Sequence, residues 1–285
     1  MTVAGAGRRS RRLGPPLILA GLLLAGWELY ARSSGISPFV LPAPSQVLAA
    51  LWQFRAEAWR HALPTIVETA TGFAISVVAA VAVAVLLDRV AWARHAVEPL
   101  LVGSQTIPIV AIAPLVVVWF GFGLAPKVLI VVLVTFFPIT IALLDGFAST
   151  PADATDLLRS FGASGGQTFR KLRWPAGLPA LFTGLRISST YAVVAAVIGE
   201  YVGATEGLGI WMQLSQRSFR TDLVFAAIVL TAVLSVALYA AVAAAERIVI
   251  PWWPASRSGG GAQSVSASAS RSGIREPASR SNAPS

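Results

Sequence analysis

The chain has 285 residues, 55% of them hydrophobic and 12% charged, with a net charge of +9 and no cysteine. Soluble domains carry about 25% charged residues. Half that share, with repeated apolar runs near membrane-spanning length, excludes an ordinary soluble domain and implies an all-α polytopic membrane protein; the missing thiols exclude disulfides, thiolate metal sites and Cys nucleophiles.

Residues 1–12 form a basic segment with Arg8, Arg9, Arg11 and Arg12 and no acid. The apolar run 13–31 follows. A basic start before an apolar core also fits a signal peptide, but with five further spans behind it the run reads as an uncleaved first span. Residues 32–64 are interrupted by Pro38, Pro42, Pro44 and Pro64. Ser45 is the expected cap of a helix from Gln46 to about His61, whose Val47, Leu48, Leu51, Trp52 and Trp59 predict an amphipathic helix at the outer membrane interface. A second span is predicted over 65–87, then a turn with Asp88, Arg89, Arg94 and His95. The third, 99–120, is interrupted by Ser104-Gln105-Thr106-Ile107-Pro108 and by Pro114. The fourth covers 127–144 with Pro138 inside it, the fifth 178–202 and the sixth 223–245. The tail 251–285 is rich in Ser, Gly and Ala, cannot bury a core and is expected to be disordered. The membrane-spanning body is thus 13–250.

Charge asymmetry orients this scheme. Of the 22 cations, 16 fall in segments that alternation puts inside and 6 outside. The positive-inside rule therefore predicts both termini in the cytoplasm, together with the long loop 148–179. The cations lie at span ends and in the tail rather than on one compact face, which argues against nucleic acid as a partner.

The loop 148–179 is the longest polar interval between apolar segments. It carries acids at Asp153 and Asp156, cations at Arg159, Arg170, Lys171 and Arg173, and apolar residues at helical spacing: Leu157, Leu158 and Phe161, then Phe169 and Leu172. The run Gly162-Ala163-Ser164-Gly165-Gly166 predicts a break between two short helices. Pro175 and Pro179 are expected to stop the helix before the next apolar run. An acidic start and a basic end match the helix dipole, so the loop reads as a docking surface.

These residues resemble the permease subunit of binding-protein-dependent ABC importers. That family has a cytoplasmic loop of the form E-A-A, three residues, Gly, nine residues, Ile, one residue, Leu-Pro. Counted from Gly162, Asp156, Leu157 and Leu158 take the E-A-A places, Leu172 the Ile place, and Trp174-Pro175 the Leu-Pro place; Arg159 and Ala163 lie within the same loop. The resemblance implies a type I importer permease fold of about six spans. It also implies docking of this loop in a groove of an ABC ATPase dimer, a second permease copy, an extracytoplasmic solute-binding protein and residence in the inner membrane. Segments 104–127 and 199–209 are most similar to permeases for pyrimidine precursors of thiamine. The resemblance therefore implies a hydroxymethylpyrimidine-type solute, with riboflavin, taurine or alkanesulfonates, and nitrate as alternatives.

No phosphate-binding pattern G-x-x-x-x-G-K-[ST] occurs, because Lys127 and Lys171 have the wrong neighbours. ATP hydrolysis is expected on another polypeptide. No catalytic residue, metal site or cofactor is expected, and His61 and His95 read as surface histidines on opposite sides of the membrane. Polar groups inside spans are the candidate translocation path: Ser104, Gln105 and Thr106 from the third span, Ser188, Ser189, Thr190 and Glu200 from the fifth. Helix-to-helix hydrogen bonding is the competing reading for the hydroxyls; Gln105 and Glu200 are harder to place in lipid and favour a path or gate. Arg186 is expected to snorkel to the membrane surface. Two readings from other classes stay open: a secondary transporter without an ATPase, and a membrane scaffold.

Overall fold

The computed structural model describes residues 6–252 apart from 91, 93–95, 98 and 100–102. The expectations for His95 and Arg94, for residues 1–5 and for the tail from 253 lie outside the described residues. Among the described residues every regular element is helical: α1 (Ala6–Ser33), α2 (Pro44–Gln53), α3 (Arg55–Arg89), α4 (Ile109–Phe120), α5 (Leu124–Ala148), α6 (Ala152–Ser160), α7 (Gly165–Thr168), a π-helical turn (Phe169–Arg173), α8 (Trp174–Gly203), α9 (Leu208–Arg217) and α10 (Thr221–Val249).

Four helical stretches among these residues are long and apolar enough to cross a membrane: Arg55–Arg89, Leu124–Ala148, Gly165–Gly203 and Thr221–Val249. They contain the second, fourth, fifth and sixth predicted spans. The first predicted span lies within α1, which is 28 residues long. The third, 99–120, lies partly outside the described residues; its part after the break, α4, has 12 residues, about 18 Å at 1.5 Å per residue. Gly121 ends it at φ +76, a conformation that a Cβ disfavours.

The core is built where α5 lies between α3 and α8. Ile130, Val131, Ile139, Leu143, Leu144 and Phe147 of α5 are at most 1% exposed. Small residues let the backbones close up: a Cβ at Gly72 would meet Val131, and one at Gly184 would meet Ala142. Such small-residue contacts drive helix association where lipid provides no hydrophobic contrast. A second, smaller core joins α2, the start of α3, α9 and the start of α10 around Leu208 and Trp211.

Three local expectations are corrected. The helix after Pro42 is capped at Ala43 rather than Ser45, and Ser45 instead hydrogen-bonds Glu28 from within α2. That helix ends at Gln53, and α3 starts at Arg55 and runs through Pro64 without a break. Pro175 and Pro179 do not stop a helix either. Pro175 lies inside a continuous helical stretch, directly after the π turn that joins α7 to α8. There the Trp174 N–H reaches back five residues to the Phe169 carbonyl, so helix continues from Gly165 to Gly203.

Candidate functional site

Two sets of residues stand out: the hairpin between α5 and α8, and the polar groups among the spans. The hairpin's first arm is α6, opened by Pro151 and closed at Gly162, whose φ of +80 reverses the chain. The amides of Gly162 and Ala163 donate to the carbonyls of Arg159 and Leu158 at 2.9 and 3.0 Å, which satisfies the helix's last acceptors. The second arm starts at a capping box. Ser164 Oγ accepts from the Gln167 amide, and Gln167 Oε1 accepts from the Ser164 amide. The predicted glycine-rich break is therefore present and is a pair of caps.

The two arms differ in burial. No residue of α6 is buried; Leu157 is 58% and Phe161 81% exposed, with Leu158 and Ala163 half-buried. The Asp156–Arg159 pair, at 3.7 Å, is exposed at both ends and stabilises by at most about 1 kcal/mol. The second arm is anchored. Phe169 packs against Phe147 and Trp174, Leu172 and Pro175 are half-buried, and Arg173 pairs with the nearly buried Asp88 of α3 at 2.9 Å. Expectation from sequence treated Arg173 as one cation among four; the structure makes it the tie between the hairpin and the end of α3.

The span residues divide. Ser104, Gln105 and Thr106 line a cavity of about 590 Å³ with Phe137 and Pro138 of α5 and Ile187 and Tyr191 of α8. Ser188 and Ser189 do not reach it: both are fully buried, donating to the carbonyls of Thr135 and Arg186. Thr190 is exposed and bonds the Ile187 carbonyl. Tyr191 and Phe137 are the cavity residues that sequence reasoning missed, because an aromatic in an apolar run carries no signal of which face it occupies. Arg186 pairs with Glu246 of α10, both side chains largely buried, and lies over the Tyr239 ring.

Glu200 lies elsewhere. It is fully buried and holds the segment after α8 against α3. Its carboxylate accepts from Thr65 Oγ1 and from the Gly209 amide, each at 2.5 Å. Thr65 Oγ1 accepts in turn from the Leu208 amide at 3.0 Å, and His61 Nδ1 accepts from the Gly207 amide at 3.1 Å. Three successive N–H groups at the start of α9, which would otherwise be orphans, are thereby satisfied. His61, expected at a surface, is 2% exposed and stacks on Trp211 with ring centroids 6.0 Å apart. Beside this cluster Lys127 and Glu68, both buried, pair at 2.6 Å. No group of three or more potential metal-binding side chains occurs among the described residues.

Fold and sequence agree on the class. The chain belongs to the family of inner-membrane components of binding-protein-dependent transport systems, which matches residues 72–250. It is a multi-pass permease subunit of an ABC importer, not an enzyme; ATP hydrolysis sits in a separate subunit. The chain is 37% identical to the formylaminopyrimidine transport permease protein ThiX of Halalkalibacterium halodurans, over 86% of this chain and 98% of that one. It is 35% identical to the riboflavin transport system permease protein RibX of Chloroflexus aurantiacus, over 84% and 90%. Among solved structures, the MetNI methionine ABC transporter in inward-facing form is similar in fold. Its TM-score is 0.55 at 21% identity, covering 70% of this chain and 98% of that one. Family membership overturns the secondary-transporter and scaffold alternatives.

Proposed function

We propose that this permease imports a small neutral heteroaromatic solute, a pyrimidine precursor of thiamine of the hydroxymethylpyrimidine or formylaminopyrimidine type. The observation that carries the reading is the cavity between residues 104–109, α5 and α8. Its lining combines the amide of Gln105, the hydroxyls of Ser104, Thr106 and Tyr191 and the ring of Phe137, with no charged side chain among the described residues. A flat nitrogen ring matches such a lining by stacking and amide hydrogen bonds. Alkanesulfonates and nitrate are anions and taurine carries a sulfonate, and the lining offers these groups no cation among the described residues. Riboflavin is the second reading, because its ring is also flat and uncharged and a permease named for it is a comparably similar relative.

In this reading two copies of the chain face each other with the cavity between them, each with six spans and both termini in the cytoplasm. A solute-binding protein delivers the pyrimidine from outside. The hairpin 148–179 docks on the ATPase, with Asp156, Leu157, Leu158, Arg159, Gly162, Ala163, Leu172 and Pro175 at or near the contact. The exposed apolar residues of α6 support this assignment, because a short helix with nothing buried needs a partner to cover it.

The tests separate the two halves. Uptake into vesicles with the cognate ATPase and binding protein is expected for hydroxymethylpyrimidine and to fall at least tenfold in Tyr191→Ala; equal uptake of taurine would sink the solute assignment. Asp156→Lys and Gly162→Val are expected to abolish transport and ATPase stimulation while membrane insertion, read by protease protection, stays intact.

A further inference from the structure

We propose that a furrow between α2, α3 and α10 is a binding site for one acyl chain of an anionic phospholipid, with Arg55 as the anchor of its phosphate. The furrow consists of two cavities placed end to end. The first, about 490 Å³, is lined by Leu48, Ala58 and Ala62 among others; the second, about 250 Å³, lies between Ala70 and Ala241; Ile66 and Leu234 line both. Together they run along α10 from Leu230 to Ala241, about 16 Å at 1.5 Å per residue. That is close to the depth of one leaflet, half of a hydrocarbon core of about 30 Å.

The chemistry is graded along this length. The deep part carries one polar residue, Thr69, among aliphatic side chains. The shallow part opens between Trp52 and Trp59, which are 73% and 63% exposed, and indoles of this kind settle at the headgroup level of a bilayer. Arg55 is the one charged residue in the lining among the described residues. Its guanidinium lies 4.9 Å from the Trp52 ring centroid and donates to the Trp52 carbonyl at 3.0 Å, which fixes it at the mouth. Arg55 has no carboxylate partner among the described residues. A phosphate there completes its donors, and the acyl chain below it fills the furrow. The polar hydroxyls and amide of the transport cavity lie elsewhere, between residues 104–109 and α5, so the two sites are separate.

The test is native mass spectrometry of the full chain in mild detergent, titrated with phosphatidylglycerol and, separately, phosphatidylcholine. Phosphatidylglycerol is expected to be retained about fivefold more tightly, the effect of one cation near an anionic headgroup. Arg55→Gln removes that preference and leaves weak retention of both lipids. Ala70→Phe combined with Ala237→Phe fills the deep furrow from exposed positions and abolishes retention of both. If the double variant fails to fold, a phosphatidylglycerol with a diazirine at its acyl terminus decides instead, with labelling expected between residues 234 and 241. Equal retention of the two lipids, retention unaffected by Arg55→Gln, labelling outside that stretch, or a dimer that dissociates in the double variant would each overturn the proposal.

Discussion

The two ends of the long helical stretch Gly165–Gly203 are held in opposite ways. At one end, α6 displays Leu157 and Phe161 to solvent, and its one ion pair is exposed. At the other, Glu200, Thr65 and His61 bind three consecutive amides in a site without exposed atoms to spare. One end is closed by its own hydrogen bonds; the other leaves apolar side chains uncovered, which is what the proposed docking of the hairpin on the ATPase calls for.

That contrast can be broken most sharply at the closed end. Lys127→Met leaves Glu68 buried without its cation and is expected to destabilise by about 3–5 kcal/mol, read as the loss of a cooperative thermal transition in detergent. Glu200→Ala orphans the Gly209 amide and removes an acceptor from Thr65, for about 2–4 kcal/mol in the same assay. A smaller effect is expected at the tie between the regions. Arg173→Ala removes the ion pair with Asp88 and lowers stability by about 1.5 kcal/mol, while ATPase stimulation falls because the second arm loses its anchor. The smallest structural effect belongs to Leu157→Ser with Phe161→Ser, within about 0.5 kcal/mol of wild type, yet co-purification of the ATPase is expected to disappear. A large loss of stability in that last variant would mean the hairpin is internal packing rather than a docking surface.

The hairpin was legible in the sequence because its information is local. Helical spacing of Leu157, Leu158 and Phe161 and the glycine-rich interval lie within one stretch, and the structure has two arms with a capped break at Gly162. The second, fourth, fifth and sixth spans were legible for a similar reason, since long apolar runs announce themselves. What stayed hidden was long-range. Thr65 and Glu200 are 135 positions apart and Glu68 and Lys127 are 59 apart, so nothing in either neighbourhood names the other. His61 read as a surface residue because its partner, the Gly207 amide, is invisible in a sequence. The prolines misled for a different reason: the helix runs on through Pro175 and Pro179 from the π turn at 169–173.

The helical run from Gly165 to Gly203 is 39 residues long, about 58 Å of backbone. It begins in the second arm of the hairpin and ends at the carboxylate that holds Gly209. One continuous helix therefore ties together the hairpin's second arm at Phe169, the cavity at Tyr191 and the Glu200 cluster, and the π turn at 169–173 is where its hydrogen-bond register departs from that of an α-helix.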